Sequence, residues 1–278
     1  MTFDARNLSL RVGVALVGIP LILFLVLSGG WRVLALAGVL SVLGAWEWAD
    51  LCGLRRMKAL YALTIIGPLL LLGASIFGGA AGWMAAAIFV LFLAFILAQA
   101  GPWKEVGAVR SIGATITGTL YVGFFGLMKP ISDGRGSVIA ADGGKLVAAA
   151  LCMVWLGDTL AYFGGSAWGR HRLAPTISPK KSWEGAVFGF VGAVLGAVVA
   201  WFLFRPQTLL FGELLGLGAV IGIIGQIGDL AESLVKRDAQ KKDSSNILPG
   251  HGGVLDRFDS FLFSLPVLWG WIHLRPLW

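Results

Sequence analysis

A charged and glycine-rich run at positions 228–260 contains the side chains best suited to chemistry, and it is flanked by apolar stretches. It carries five aspartates. Carboxylates and hydroxyls are the ligands that Mg2+ prefers, whereas lysine, arginine and glycine N–H groups bind phosphate oxygens. A metal site next to a phosphate site indicates phosphoryl or nucleotidyl transfer. The alternative is a loop whose basic residues only set membrane topology, but such a loop has no need of five aspartates.

The spacing within this run predicts a helix, a glycine loop and a second helix. Asp229, Ser233 and Lys236 fall on one face of a helix, and Asp256 and Asp259, three residues apart, share a face of the next one. The proline and glycines between these two sets interrupt any continuous helix. Carboxylates are therefore expected on both helices.

Asp158 is a carboxylate inside an apolar segment, with Tyr162 one helical turn further on the same face. An ionisable residue is costly in a membrane span and predicts a function there by default. The alternative interpretation is a structural hydrogen bond between helices.

The segment Ser178–Gly185 predicts an anion site. Ser178 and Pro179 signal a turn or a helix start, and Lys180, Lys181 and Ser182 are expected in the following helical turn, where helix N–H groups bind anions. The alternative is that the two lysines only anchor the next membrane span.

The composition predicts an all-α, polytopic integral membrane protein. Of the 278 residues, 57% are hydrophobic and 13% charged, whereas soluble domains are about 25% charged. Apolar segments of 17–25 residues each suffice to cross a bilayer. We expect about nine spans, between eight and ten, organised as N-terminal transmembrane helices in 1–130 and a catalytic transmembrane region in 131–278. The first span is predicted to end near Leu27. The others are predicted near 33–49, 60–77, 83–100, 111–128, 146–168, 183–204, 209–227 and 258–274.

The positive charges predict the orientation. With a cytoplasmic N-terminus, most of the 22 Lys and Arg residues face the cytoplasm, as the positive-inside rule requires. This places 228–260 on the cytoplasmic side. No cleavage site or organelle-targeting segment is evident, which suits a bacterial inner membrane. The net charge of +7 is suited to cytoplasmic loops that face anionic lipids and anionic substrates. No basic patch is interleaved with exposed aromatic residues, so we expect no nucleic-acid partner.

Three further features receive structural interpretations. Glu47, between two tryptophans, is interpreted as an interfacial carboxylate. Cys52 and Cys152 lack metal-ligand spacing and are interpreted as inert. Glycines four residues apart are expected to let helices pack closely in lipid, and they permit a homodimer without requiring one. These glycine pairs are Gly185 and Gly189, Gly192 and Gly196, and Gly218 and Gly222.

The motifs closely resemble the signature of the phosphatidate cytidylyltransferase, or CDP-diacylglycerol synthase, family. The matching runs are S-L-V-K-R from Ser233, K-D from Lys242 and L-P-G-H-G-G-V-L-D-R-F-D from Leu248. The S-P-K-K-S-W-E-G run from Ser178, and Asp158 followed by Ala161 and Tyr162, resemble the family as well. The resemblance implies an enzyme of the lipid bilayer that converts CTP and phosphatidate into CDP-diacylglycerol and pyrophosphate. It also implies a cofactor, two ions of Mg2+ or of a similar divalent cation.

The resemblance also implies the site residues. The metal ligands are expected to be Asp229, Asp256 and Asp259. The catalytic group comprises these three with Lys236, Lys242, Asp243, Arg257 and His251, whose role is unassigned. The substrate-binding residues are expected to be Asp158, Tyr162, Ser178, Lys180, Lys181, Ser182, Ser233, Arg237, Gly252 and Gly253.

Two other classes remain open on the residues alone. A CTP-dependent polyprenol or lipid kinase would use the γ-phosphate and release CDP. An ion or phosphate transporter is supported only by Asp158, and the chain shows no internal repeat of the kind that many transporters have.

Overall fold

The structure is a computed structural model, and it describes residues 5–134, 142–207, 209–248, 250 and 252–274, without the side chains of 5–12 and 103. Among these residues, six helices are long and apolar enough to cross a membrane, which confirms the all-α, polytopic class. The helices are α1 (Ala5–Ser28), α2 (Gly30–Leu51), α3 (Lys58–Ala98), α4 (Trp103–Val106), α5 (Ala108–Gly123), α6 (Met128–Asp133), α7 (Gly143–Trp168), α8 (Trp183–Phe204), α9 (Phe211–Asp238) and α10 (Leu255–Leu274).

The chain divides into two compact units. The first unit comprises residues up to 129 together with 238–258, and the second comprises 130–237 together with 259 onward. The glycine loop that follows α9 thus belongs to the first unit, together with the N-terminal helices. The charged half of α9 belongs to the second unit.

In the first unit, α3 is two helical segments rather than one. Its 41 residues are about twice the length that a bilayer needs, and Gly79 inside it has a left-handed φ of 56°. Leu60 and Leu63 share a buried apolar cluster with Val90 and Ala94, so the two segments pack on each other. The spans predicted near 60–77 and 83–100 correspond to these segments.

In the second unit, α8 packs closely on α7 and α9 through glycines. A Cβ added at Gly192 would lie 2.6 Å from the Leu156 carbonyl oxygen of α7, and one at Gly222 would lie 2.9 Å from Ala193 Cβ of α8. Contacts this short exclude any side chain, so the helix backbones themselves are in contact. The predicted packing role of the glycine pairs is confirmed.

The one predicted helix start that is wrong lies before α8. Lys180, Lys181 and Ser182 form a strand instead of a first helical turn: β1 (Arg172–Ala174) pairs antiparallel with β2 (Ser178–Ser182). A residue before proline is driven to an extended conformation, so Ser178-Pro179 favours the strand. The helix begins only at Trp183, where the Ser182 side chain caps it by accepting a hydrogen bond from Gly185 N at 3.1 Å.

Candidate active site

Four carboxylates of the second unit come from three helices, and we call them the acidic cluster: Asp158 of α7, Asp229 and Glu232 of α9, and Asp259 of α10. Asp259 is buried, and each of the other three acts on it electrostatically. The helix packing explains why they meet. A Cβ at Gly228 would lie 2.8 Å from the Asp259 carbonyl oxygen, so the backbones of α9 and α10 approach each other closely beside Asp229.

Two lysines neutralise part of the acidic cluster. Lys181 of β2 places its Nζ 2.6 Å from Asp229 Oδ2, and Lys236 places its Nζ 2.5 Å from Glu232 Oε2. Ser233 Oγ donates to Asp229 Oδ1 at 3.4 Å, as expected from their i, i+4 spacing. The predicted helical face thus brings Ser233 to Asp229, whereas Lys236 pairs with Glu232 and Lys181 reaches Asp229 from the strand.

The strand hairpin is tied to α9 beside this cluster. Arg237 Nε donates to the carbonyl oxygen of Ile177, in the turn between β1 and β2, at 3.1 Å. This bond and the Lys181–Asp229 pair fix the hairpin against the charged end of α9. Lys180 is exposed on the same strand, whereas Ser182 is buried at the cap of α8. Substrate binding by Ser178, Lys180, Lys181, Ser182, Ser233 and Arg237 stays a prediction.

Asp158 also borders a small cavity in the second unit, with room for about one water molecule. Its polar lining comes from Asp158, Gln226 and Ser260, and the remainder is apolar or glycine. Tyr162 is 70% exposed and packs edge-on against Phe163, with ring centroids 5.5 Å apart. Roles for Asp158 and Tyr162 in substrate binding stay predictions.

In the first unit, Asp256 holds the glycine loop at residues 239–254. Its Oδ2 accepts hydrogen bonds from Ser244 N, Ser244 Oγ and Gly253 N, all at 2.8 Å. Gly252 has φ of 80°, and a Cβ there would lie 2.7 Å from the same oxygen. Glycine is thus required at 252 both by backbone conformation and by space.

The remaining predicted residues in and beside the loop that the structure describes are exposed. They are Lys242, Asp243 and Arg257, and the positive charges of Lys242 and Arg257 suit capture of an anion from water. His251 and Pro249 lie outside the described residues. Catalytic roles for Lys242, Asp243, Arg257 and His251 stay predictions.

The interpretation of Glu47 as an interfacial carboxylate is wrong. Its side chain is completely buried, and it accepts hydrogen bonds from the glycine loop and from the start of α10. Those partners lie about 200 residues away in sequence, so local pattern could not identify them. The available signal was a lone carboxylate in an apolar helix, which is functional by default.

In the part of the chain that the structure describes, no three His, Cys, Asp or Glu side chains are arranged to hold a metal ion together. The acidic cluster nevertheless has the right donors, because carboxylates in a confined site need a cation or a proton for neutrality, and oxygen ligands suit Mg2+. Two predicted ligands, Asp229 and Asp259, belong to the cluster, and Asp256 lies in the first turn of α10, where it accepts hydrogen bonds from the glycine loop. Metal binding stays a prediction for all three.

The apolar helices define a multi-pass membrane protein with polar groups suited to anions. Residues 9–274 match the cytidylyltransferase family. The chain is 37% identical to the phosphatidate cytidylyltransferase of Pseudomonas aeruginosa, over 94% of this chain and 97% of the relative. It is 32% identical to the protein of that name from Synechocystis, over 95% and 96%, and 30% identical to that from Staphylococcus aureus, over 94% and 97%. The chain therefore belongs to the cytidylyltransferase family, which makes it a nucleotidyltransferase.

Proposed function

We propose that this protein is a phosphatidate cytidylyltransferase, which joins CTP and phosphatidate into CDP-diacylglycerol and releases pyrophosphate. The observation that carries the proposal is the likeness to relatives of that name along nearly the whole chain, up to 37% identity over 94% of it. Both substrates are polyanions that need cations around them. The acidic cluster supports the proposal because its carboxylates are suited to binding a divalent cation and Lys181 beside them adds a positive charge.

The reaction places few demands on acid–base chemistry. A phosphate oxygen of phosphatidate attacks the α-phosphorus of CTP, and the bond from that phosphorus to the oxygen bridging to the β-phosphate breaks. Pyrophosphate leaves with the bond's electron pair. Phosphatidate is already ionised near neutral pH, so no general base is required. Catalysis then consists of charge neutralisation and in-line positioning.

In the second unit, Asp229 and Asp259 are the proposed metal ligands. A bound divalent cation would neutralise phosphate charge and polarise the α-phosphate. Lys181 and Lys236 are held against carboxylates at 2.6 Å and 2.5 Å, which fixes their ammonium groups beside the acidic cluster, where their proposed role is to bind phosphate oxygens. Because each lysine pairs with an acid, its placement does not depend on the substrate.

In the first unit, the proposed task of the glycine loop is phosphate binding. The exposed side chains of Lys242 and Arg257 supply positive charge, and the glycine backbone lets N–H groups approach an anion closely. Asp256 is a proposed metal ligand as well.

We place the protein in the bacterial inner membrane with its N-terminus and active site on the cytoplasmic side, where CTP is found. The positive-inside distribution of Lys and Arg supports this orientation. A homodimer gains no support from the glycine pairs, because Gly192 and Gly222 pack within one chain.

The test follows a label on the α-phosphate of CTP, using purified protein in detergent with phosphatidate and Mg2+. The proposal expects label in an organic-soluble CDP-lipid together with released pyrophosphate. Label remaining in water as CDP, with a newly phosphorylated lipid, would assign the protein to the kinases instead. Absence of turnover together with counterflow in vesicles would favour the transporter.

A further inference from the structure

Glu47 makes an unusual set of contacts for a residue of an apolar helix. No part of its side chain reaches solvent. Its Oε1 accepts hydrogen bonds from Ser245 Oγ at 2.6 Å and Val254 N at 2.8 Å. Its Oε2 accepts from Ser244 Oγ at 3.1 Å and Leu255 N at 2.8 Å. Both oxygens thus bind one loop hydroxyl and one backbone N–H each.

The two backbone contacts cap a helix from a distance. Leu255 is the first residue of α10, and the N–H groups at a helix start have no partner within the helix. A carboxylate is favoured there because of the helix dipole as well. Here the cap comes from α2 rather than from the residue preceding the helix, so the start of α10 is fixed to an N-terminal helix of the same unit.

The hydroxyl contacts connect Glu47 to Asp256. Ser244 Oγ lies 3.1 Å from Glu47 Oε2 and 2.8 Å from Asp256 Oδ2, and its single proton is donated to one carboxylate at a time. Gly253 is enclosed by the same atoms, because a Cβ there would lie 2.0 Å from Ser244 Oγ and 2.4 Å from Glu47 Oε1. The glycine loop is therefore folded around the Glu47 carboxylate.

We propose that Glu47 is a positioning residue for cytidylyl transfer. It fixes Ser244, Ser245 and the backbone of Val254 and Leu255, and thereby sets the position of Asp256 and of the Gly252 and Gly253 backbone. It acts through these groups and not by touching substrate. The inference rests on the proposed function, since it is the reaction of that site that Glu47 would support.

The decisive substitution is Glu47→Gln, which keeps the shape of the side chain. Whichever way the amide is turned, its NH2 faces the N–H of Val254 or Leu255, and two donors oppose each other. Glu47→Asp keeps the acceptors and shortens the side chain. The matched control is Glu213→Gln, since Glu213 accepts the backbone N–H of Leu210 at 2.7 Å, near the start of α9, and the substitution changes the charge equally.

We expect Glu47→Gln to lower kcat/KM for CTP by roughly 10- to 100-fold, because small displacements of positioned groups have effects of that order. Glu47→Asp should recover part of the loss, and Glu213→Gln should stay within about twofold of the unsubstituted protein. If Glu47→Gln reduces only the yield or the unfolding temperature while the folded protein keeps its kcat and KM, the residue is merely structural and the inference is overturned.

A second readout does not depend on activity. Amide hydrogen exchange over residues 253–255 should be faster in Glu47→Gln than in Glu213→Gln, and unchanged exchange there overturns the inference. If the unsubstituted protein does not turn over at all, the proposed function fails, but the exchange experiment still decides whether Glu47 holds the loop. Should Glu47→Gln not fold, Ser244→Ala removes the shared hydroxyl alone and is expected to lower kcat/KM; full activity in that variant counts against the inference.

Discussion

Replacing Gly228 by alanine tests whether the close approach of α9 and α10 builds the acidic cluster. The new Cβ would lie 2.8 Å from the Asp259 carbonyl oxygen and 2.9 Å from Phe263 Cβ. Ordinary contact begins at 3.4 Å, so the helices must separate locally by about 0.6 Å, the difference between these distances. Overpacking of this kind costs about 1–3 kcal/mol.

The control is Gly216→Ala on the same helix, where an added Cβ meets nothing within 4 Å. Both substitutions gain about 0.5–1 kcal/mol because alanine favours helix over glycine, and this gain cancels when the two variants are compared. The difference between them should therefore equal the overpacking cost, about 1–3 kcal/mol. For a chain of this size it should separate their unfolding temperatures by several degrees.

The assay combines thermal unfolding in detergent, at one scan rate, with turnover of CTP and phosphatidate. We expect Gly228→Ala to unfold at the lower temperature and to lose activity, because Asp229 follows Gly228 directly. Gly216→Ala should keep full turnover. Equal unfolding temperatures and equal activities in the two variants would refute the argument that this helix contact positions the cluster.

Three more predictions concern charge and reactivity. Asp229→Asn should reduce cytidylyl transfer roughly 100-fold or more and raise the Mg2+ concentration needed for half-maximal rate. The control Asp238→Asn, at the exposed end of α9, should alter neither quantity. Unchanged metal dependence in Asp229→Asn would show that Asp229 is not a metal ligand. Chelation of divalent cations should abolish turnover and added Mg2+ should restore it, whereas activity persisting in chelator would contradict a metal-dependent reaction. Burial raises the pKa of the Cys52 thiol to about 11, so little thiolate exists at neutral pH. In a Cys152→Ala background, maleimide should therefore label Cys52 far more slowly than it labels glutathione at pH 7. The labelling rate of Cys52 should rise as the pH approaches 11. Equal rates for Cys52 and glutathione at pH 7 would show that the Cys52 thiol is not desolvated.

The parts of the fold that the sequence predicts are those decided by short-range physics. The length of an apolar run determines whether a helix can cross the bilayer, and glycine spacing determines which helices can approach closely. Helical periodicity placed Asp229 beside Ser233 for the same reason. Each of these depends on residues of a single helical segment, so no knowledge of tertiary contacts was needed.

The features that the sequence did not predict depend on contacts outside the motif that drew attention. Lys180 and Lys181 are on a strand because β2 pairs with β1, which precedes the run from Ser178, and the next helix begins only after Ser182 caps it. Glu47 has its partners about 200 residues away. Charge predicted a site in the run from Ser178, whereas Glu47 was interpreted as interfacial, and only the folded chain shows which atoms each side chain contacts.

The second unit also shows why packing and chemistry are inseparable in this protein. Asp229 and Asp259 meet because Gly228 lets two backbones come closer than any side chain would allow. That approach brings like charges together, which is unfavourable without compensation, and Lys181 and Lys236 pair with two of the four carboxylates of the cluster. A concentration of carboxylates favours the binding of a cation, so we propose that the helix packing that creates the repulsion also creates an affinity for metal. In Gly228→Ala the overpacking cost lowers stability, and the separation of the helices moves the carboxylates apart and so weakens the proposed metal site; this is why the substitution should lower stability and turnover together.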